Sequence, residues 1–322
     1  MKAIIQRAYG DASMLKIDEI DRPVIGDDDV LVRVRAAGLN HADWVYTSGT
    51  PLIARLAFGP RAPKAIVRGK DVAGIVDSVG AHVTAFRPDD EVYGELKSGT
   101  FAEYVSAPTS LLARKPANLS FEQAATVPVS GMTALLGLRD AGSVKPGHQV
   151  LINGASGGVG TFAVQIAKAL GAEVTAVCSA RNGELARSLG ADHVIDYGAT
   201  DFTLGTRQYD VIFDSIGNHS LGALRSVLVP KGVLVLSNGT GGRVFGPMGR
   251  ILRSVMLAPF VSQKLALISA KRTSTTLDEL RDLIEAGHLT PAIDRSYPLT
   301  QVPAAMRYFV EEHARGKIAI TL

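Results

Sequence analysis

Between Val150 and Asn182 the chain reads VLINGASGGVGTFAVQIAKALGAEVTAVCSARN, a stretch that leaves few folds open. Val150, Leu151 and Ile152 form a short apolar run that reads as a buried strand. After a glycine-rich turn, Val159, Phe162, Ala163, Ile166, Ala167 and Leu170 recur at helical spacing and share one face. Gly171 stops that helix, and Glu173 to Val177 begins a second strand. Strand, turn, helix and strand make a βαβ unit, whose helix N-terminus aims unpaired backbone N–H groups at whatever sits in the turn.

The turn is Ala155-Ser156-Gly157-Gly158-Val159-Gly160, a G-x-G-x-x-G dinucleotide pattern with Ala in the first place. Gly157 lets the backbone approach a pyrophosphate, and Gly160 lets the helix pack close to the strand. Such a glycine pattern is weak alone; the strand before it and the helix after it make it specific. An NAD site normally carries Asp or Glu about twenty residues further on, to hold the adenosine ribose hydroxyls. Here the chain offers Val177, Cys178, Ser179, Ala180 and Arg181. A hydroxyl and a guanidinium without a carboxylate suit a 2′-phosphate, so the expected cofactor is NADP(H), with Ser179 and Arg181 among its ligands. The plainer reading of Arg181 is a solvated arginine opening the next helix.

The remaining chain has room for a second domain, at 322 residues in all. An apolar fraction of 46% with 20% charged residues is that of a compact globular protein, and a formal charge of +3 is too small to argue for a nucleic-acid partner. One cysteine, Cys178, excludes an internal disulfide framework and a multi-cysteine metal site. With no signal-like apolar stretch in MKAIIQRAYGD and no run long enough for a membrane span, a cytoplasmic protein is expected.

Residues 1–120 carry short alternating runs such as Val30 to Val34, Ile75 to Val79 and Tyr104 to Ala107, punctuated by glycine and proline. From 121 to 289 strands alternate with helices, which argues a doubly wound parallel sheet. After Thr290 the chain turns β-like again through Ile293, Tyr297 and Lys317 to Ile320. The expected organisation is therefore a β-rich substrate domain, 1–120 with 290–322, into which a dinucleotide-binding Rossmann domain, 121–289, is inserted.

One region breaks the pattern. No acidic residue occurs between Asp214 and Asp278, while Gly241 to Arg272 holds Arg243, Arg250, Arg253, Lys264, Lys271 and Arg272 among apolar residues. Such a stretch suits a membrane surface, an anionic substrate tail, a helical cap over the active site or a dimer contact.

The order of motifs resembles the medium-chain dehydrogenase/reductase superfamily, and within it the zinc-free quinone oxidoreductase branch typified by zeta-crystallin. The resemblance runs through AAGLNHADW at Ala36 to Trp44, RGKDVAGIVDSVG at Arg68 to Gly80, GTFAEYV at Gly99 to Val105, PVSGMTALLGL at Pro128 to Leu138, SLGADHVIDY at Ser188 to Tyr197 and ARGKIAI near the end. It implies a GroES-like substrate domain and a homodimer. Zinc-dependent relatives have a Cys three residues before the Asp of the first motif and Gly-His-Glu in the second. Here stand Asn40 before Asp43, and Gly69-Lys70-Asp71. An amide and an ammonium replace a thiolate and an imidazole, so no metal is expected.

Without a Lewis acid, the natural acceptors are those that spread developing charge by conjugation: a quinone or an α,β-unsaturated ketone or aldehyde. The resemblance places Asn40 beside the nicotinamide, Thr133 on its ribose or amide, and Tyr197 near the 2′-phosphate. Ala155, Ser156, Gly157, Gly158 and Val159 would hold the pyrophosphate. Tyr46 and Lys317 are candidates to donate a proton or steady an enolate. The expected activity is NADPH-dependent reduction of a conjugated carbonyl; an enoyl-thioester reductase and a non-catalytic NADPH-binding protein are the alternatives.

Overall fold

Apolar strands too short and too hydrophobic to face water on either side pack into a parallel sheet covered by helices. In the computed structural model, which describes residues 1–237, 242–268, 273–312 and 314–322, six such strands lie in the order His193–Asp196, Glu173–Cys178, Gln149–Asn153, Tyr209–Asp214, Leu228–Leu236 and Lys264–Leu267. All five pairings are parallel. Numbered along the chain this is 3-2-1-4-5-6, the doubly wound Rossmann order, with its switch point between Gln149–Asn153 and Tyr209–Asp214. The sixth strand was not anticipated. It sits inside the basic stretch, where the helix Met248–Leu257 precedes it.

The other large sheet is mostly antiparallel: Ile293–Pro298, Lys317–Thr321, Asp29–Leu39, Asp71–Val79, Glu91–Glu95 and Leu112–Arg114, with Tyr104–Pro108 also paired to Asp29–Leu39. Val30, Val32 and Val34 point into one core while Arg33 and Arg35, alternating with the last two, stay exposed, the period-2 pattern of a half-buried strand. The terminal strand pairs antiparallel with Asp29–Leu39, Ile318 opposite Leu39. That register brings Lys317 beside Asn40. An unforeseen helix, Val302–Glu311, buries Val302, Ala305 and Met306 against Ile318 and Ile320.

The chain divides into two compact units, Met1–Met132 with Arg272–Leu322, and Thr133–Lys271. The second unit is inserted in the first, giving an α/β Rossmann unit and a separate GroES-like β unit. The divisions fall at 132 and 272 instead of 120 and 290. Helix Phe121–Ala125 packs on Asp29–Leu39 and Asp71–Val79, and Ser274–Glu285 packs against Leu112–Arg114. There the Tyr93 hydroxyl donates to the Leu277 carbonyl at 2.6 Å. The change of rhythm in the sequence marks where helices begin, not which sheet buries them.

Candidate active site

The glycine turn follows the first parallel strand, and each glycine is used differently. Gly160 is fixed by close approach: a Cβ there would lie 2.0 Å from the Gly154 carbonyl oxygen. Gly154, which the sequence reading passed over, has φ +87°, and a Cβ would meet Ser215 and Ile216 at 2.6–2.7 Å. A Cβ on Gly157 meets only the Gly154 carbonyl oxygen at 3.4 Å, an ordinary contact, so the space in front of Gly157 is open. Gly157 caps the 12-residue helix Gly158–Ala169, whose first turn includes Val159. Ala155 is buried, and the Ser156 hydroxyl accepts from Asn182 Nδ2 at 2.9 Å, tying the turn to the end of the second strand. An open backbone surface at a helix N-terminus fits the pyrophosphate of a dinucleotide.

Ser179 follows the second strand and Tyr197 the third, and their ends are joined by the Tyr197 N–H donating to the Cys178 carbonyl at 3.1 Å. Arg181 and Tyr197 are exposed and Ser179 half-buried. At the same edge, Asp196 Oδ1 accepts from the N–H groups of Ala180 (3.1 Å) and Gly198 (3.0 Å). Thr133 is buried in helix Pro128–Leu135.

At the switch point, Asp214 ends the fourth strand fully buried. It accepts from Asn153 Nδ2 at 2.8 Å and from the Gly217 N–H at 3.0 Å, and pairs with the Arg250 guanidinium. The helix Met248–Leu257 is thereby fastened over the C-terminal ends of the strands, where open α/β sheets bind ligands. Among the residues of the basic stretch, Gly241, Lys271 and Arg272 lie outside the described residues.

In the β unit, Asn40 precedes helix His41–Ser48 and is 4% exposed. Its backbone N–H donates to Asp43 Oδ2 at 2.8 Å, and its Nδ2 donates to Asp71 Oδ2 at 2.9 Å. Its Oδ1 accepts from Lys317 Nζ. Ammonium on one side and carboxylate on the other leave the amide one orientation. Lys317, 2% exposed, also donates to Ser130 Oγ at 3.1 Å and to the Leu39 carbonyl at 3.2 Å, with Asp71 Oδ2 at 3.8 Å. All three ammonium protons are engaged. Asp71 Oδ1 accepts from the Val129 N–H at 3.0 Å. Burial pushes the Asp71 carboxyl upward against the Lys317 charge, and pushes the Lys317 ammonium downward against Asp71. Ser130 and Asp71 were missed in the sequence because neither is adjacent to Asn40 along the chain.

Tyr46, half-buried on the same helix, stacks on Phe58 with ring centroids 3.8 Å apart. The Arg68 and Lys70 cations lie 5.9 and 6.0 Å from its ring centroid, and Lys70 is paired with Glu95 at 2.9 Å. Lys70 thus fills a position that is His in zinc-dependent relatives with an ion-paired ammonium. No group of three or more His, Cys, Asp or Glu among the described residues is arranged to hold a metal ion.

Burial also raises Asp43, from 3.8 to about 6. A carboxyl whose folded value exceeds its unfolded value holds its proton longer in the folded chain, so stability falls as pH rises from about 4 to about 6. Asp43→Asn keeps an acceptor for the Asn40 N–H and removes the titration. Its stability relative to wild type is expected to improve by about 2–3 kcal/mol between pH 4 and pH 7. Denaturant unfolding at both pH values measures this; identical pH dependence in the two proteins would refute the shift.

The alcohol dehydrogenase GroES-like domain family matches residues 26–117, and the zinc-binding dehydrogenase family matches 189–320. The chain is 33% identical to the mitochondrial NAD(P)H oxidoreductase RTN4IP1 of Bos taurus, over 100% of this chain and 89% of that protein. It is also 33% identical to the chloroplastic NADPH-dependent alkenal/one oxidoreductase of Arabidopsis thaliana, over 99% of this chain and 79% of the relative. The structure of Escherichia coli quinone oxidoreductase complexed with NADPH is similar at TM-score 0.85 and 27% identity, covering 100% of both chains. With full-length identity, two matched families and a shared fold, the chain is an oxidoreductase that belongs to the medium-chain dehydrogenase/reductase superfamily, in its quinone oxidoreductase branch.

Proposed function

We propose that the protein uses NADPH to reduce a conjugated carbonyl acceptor, a quinone or an α,β-unsaturated ketone or aldehyde. The observation that carries the reading is the fixed amide of Asn40, held between Lys317 and Asp71 in the position that zinc-dependent relatives give to a metal ligand. The relatives named for NAD(P)H, alkenal/one and quinone chemistry support the same class. NADPH, when bound, supplies the hydride. Gly157, Gly158 and Val159 bind its pyrophosphate, with Ala155 and Ser156 shaping the turn.

In this reading Asn40 and Thr133 meet the nicotinamide end, and Tyr46 is the side chain with a hydroxyl available to steady the acceptor oxygen. Lys317 acts differently from the proton donor considered from sequence. With its three N–H groups spent on Leu39, Asn40 and Ser130, it positions the Asn40 amide. The test is NADPH oxidation against a quinone, an alkyl enone, an enoyl thioester and a simple ketone, with NADH in parallel. Turnover of conjugated acceptors above the ketone is expected. Tight NADPH binding with no turnover of any of them would favour the non-catalytic alternative.

Ser179, Arg181 and Tyr197, with no carboxylate between Val177 and Arg181, support NADPH over NADH. Arg181→Ala is expected to weaken NADPH about 10- to 100-fold, the worth of one charge-assisted phosphate contact, and to leave NADH nearly unchanged. Fluorescence titration with both cofactors measures this, and equal losses would refute the role.

A homodimer is proposed as well, supported by the outer edge of Lys264–Leu267 and by exposed Val255, Met256 and Phe260 nearby. Sedimentation at monomer mass would refute it. A cytoplasmic location rests on the single, buried Cys178, and fractionation tests it. No helix among the described residues is long and apolar enough to cross a membrane.

A further inference from the structure

Arg68 carries a buried charge that the chain leaves without an acceptor. Its backbone is fixed on both sides: its N–H donates to the Ile4 carbonyl at 3.2 Å, and its own carbonyl accepts from the Phe101 N–H at 2.9 Å. Gly69 follows at φ +91°, where a Cβ would lie 2.4 Å from Thr100 Oγ1, so the turn is held tight against Thr100. From this fixed base the side chain reaches toward the helix His41–Ser48, and its guanidinium ends 5.9 Å from the Tyr46 ring centroid. The residue is 3% exposed.

Arg68 Nε and Nη2 are closed off from solvent and donate to no oxygen among the described residues. Those two N–H groups share one edge of the guanidinium and run parallel, the pair that a carboxylate meets with both its oxygens. Leaving a buried cation unmet is costly. The carboxylates of this region are committed elsewhere: Glu95 pairs with Lys70 at 2.9 Å, and Asp71 accepts from Asn40 and Val129. Asp43 attracts the Arg68 charge from beyond ion-pairing distance, but it accepts from the Asn40 N–H, and burial moves its carboxyl up to about 6. Burial likewise holds the Arg68 guanidinium below its ordinary value. A chain that keeps such a cation breaks a local rule, and breaks of that kind are expected where a ligand completes the structure.

Tyr46 ties this edge to the acceptor's place. Its hydroxyl is the group proposed above to steady the acceptor oxygen, and its ring carries both the Arg68 and the Lys70 cation within about 6 Å. Of the two, Lys70 is compensated and Arg68 is not. Phe58 stacks on Tyr46 from the four-residue helix Arg55–Phe58, where Leu56 and Ala57 are exposed, so the cover on Tyr46 is a single surface turn. We propose that Arg68 is a specificity residue whose Nε and Nη2 edge binds a carboxylate on the acceptor, admitted as Phe58 parts from Tyr46. The inference rests on the reductase reading above and narrows its acceptor class to conjugated carbonyls that carry an acid group.

Two matched pairs of probes test it. 6-Oxoheptanoate and its primary amide are titrated calorimetrically into protein saturated with NADP⁺. 6-Oxohept-4-enoate and its primary amide are then offered as acceptors with NADPH; the two methylenes between acid and enone keep the carboxylate out of conjugation. Wild type is expected to prefer the acid over the amide about 10- to 100-fold in Kd and in kcat/KM, the latter carried by KM. Arg68→Leu should bring both ratios to about 1 and raise Tm, because it removes a buried charge that has no acceptor. Arg68→Lys, which keeps the charge and loses the paired edge, should retain a smaller preference. Ratios near 1 in wild type would overturn the proposal. So would ratios that survive in Arg68→Leu while its Tm falls, the behaviour of an arginine satisfied by buried water. The calorimetric arm needs no turnover: a binding preference for the acid with no reduction of any acceptor would sink the reductase reading and keep the carboxylate site. Turnover of both enones with ratios near 1 would do the reverse.

Discussion

Lys317→Met is expected to destabilise the protein by roughly 3–5 kcal/mol, because it leaves the Asp71 carboxylate buried without its counter-charge. Asp71 is fully buried, and its remaining partners are the Asn40 amide and the Val129 N–H. Loss of fold alone would not reveal what Lys317 does, so the informative protein is the pair Lys317→Met with Asp71→Asn. Neutral at both positions, it should recover most of the lost stability, since replacing a buried ion pair by uncharged groups is often close to neutral. It should still lack the donor to Asn40 Oδ1. If Lys317 positions that amide, the recovered double variant keeps NADPH affinity but loses kcat by at least about tenfold, the scale of one misplaced hydrogen bond. A double variant with wild-type kcat would refute the positioning role. Stability measured by denaturant and kcat measured on the best acceptor separate the two effects.

Gly157→Val should abolish dinucleotide binding while leaving the chain folded. The structure distinguishes it from its neighbour three residues on. A side chain at Gly157 meets one carbonyl oxygen at 3.4 Å and otherwise projects into open space, where a pyrophosphate would approach. A side chain at Gly160 lands 2.0 Å from backbone oxygen, so Gly160→Ala forces helix and strand apart. The expected outcome is a Gly157→Val protein with near wild-type Tm and NADPH and NADH both weakened on the order of a hundredfold or more, from the loss of two charge-assisted bonds. Gly160→Ala should lower Tm. Retained tight NADPH binding by Gly157→Val would remove the glycine turn from the site.

Both expectations bear on how a site built on Asn40, Lys317 and Asp71 handles charge. The chain brings a side-chain ammonium from the strand Lys317–Thr321 to Asn40 and sets Asp71 opposite it. The arrangement is buried and hydrogen-bonded, which satisfies the cost of desolvating two charges only because each also meets neutral partners: Ser130 and the Leu39 carbonyl for Lys317, and Asn40 and the Val129 N–H for Asp71.

What the sequence determined by itself is local. Strand, turn and helix around Gly157 are legible because hydrophobic period and glycine placement act over a few residues, and the parallel sheet follows from repeating that unit. The lack of an acidic residue from Val177 to Arg181 is likewise a local fact. Tertiary structure alone decided the rest. Helices Phe121–Ala125 and Ser274–Glu285 belong to the β unit because of the surface they bury against, which no local pattern records. Arg250, read as one cation in a basic stretch, is spent on Asp214 thirty-six residues earlier, whereas Arg253, three positions on, is not. Lys317 and Asn40 are 277 residues apart, and they meet only because the terminal strand pairs with Asp29–Leu39 in a register that sets Ile318 opposite Leu39. Charge pairing between distant segments is fixed by sheet register and helix docking, and those depend on burial summed over the whole chain.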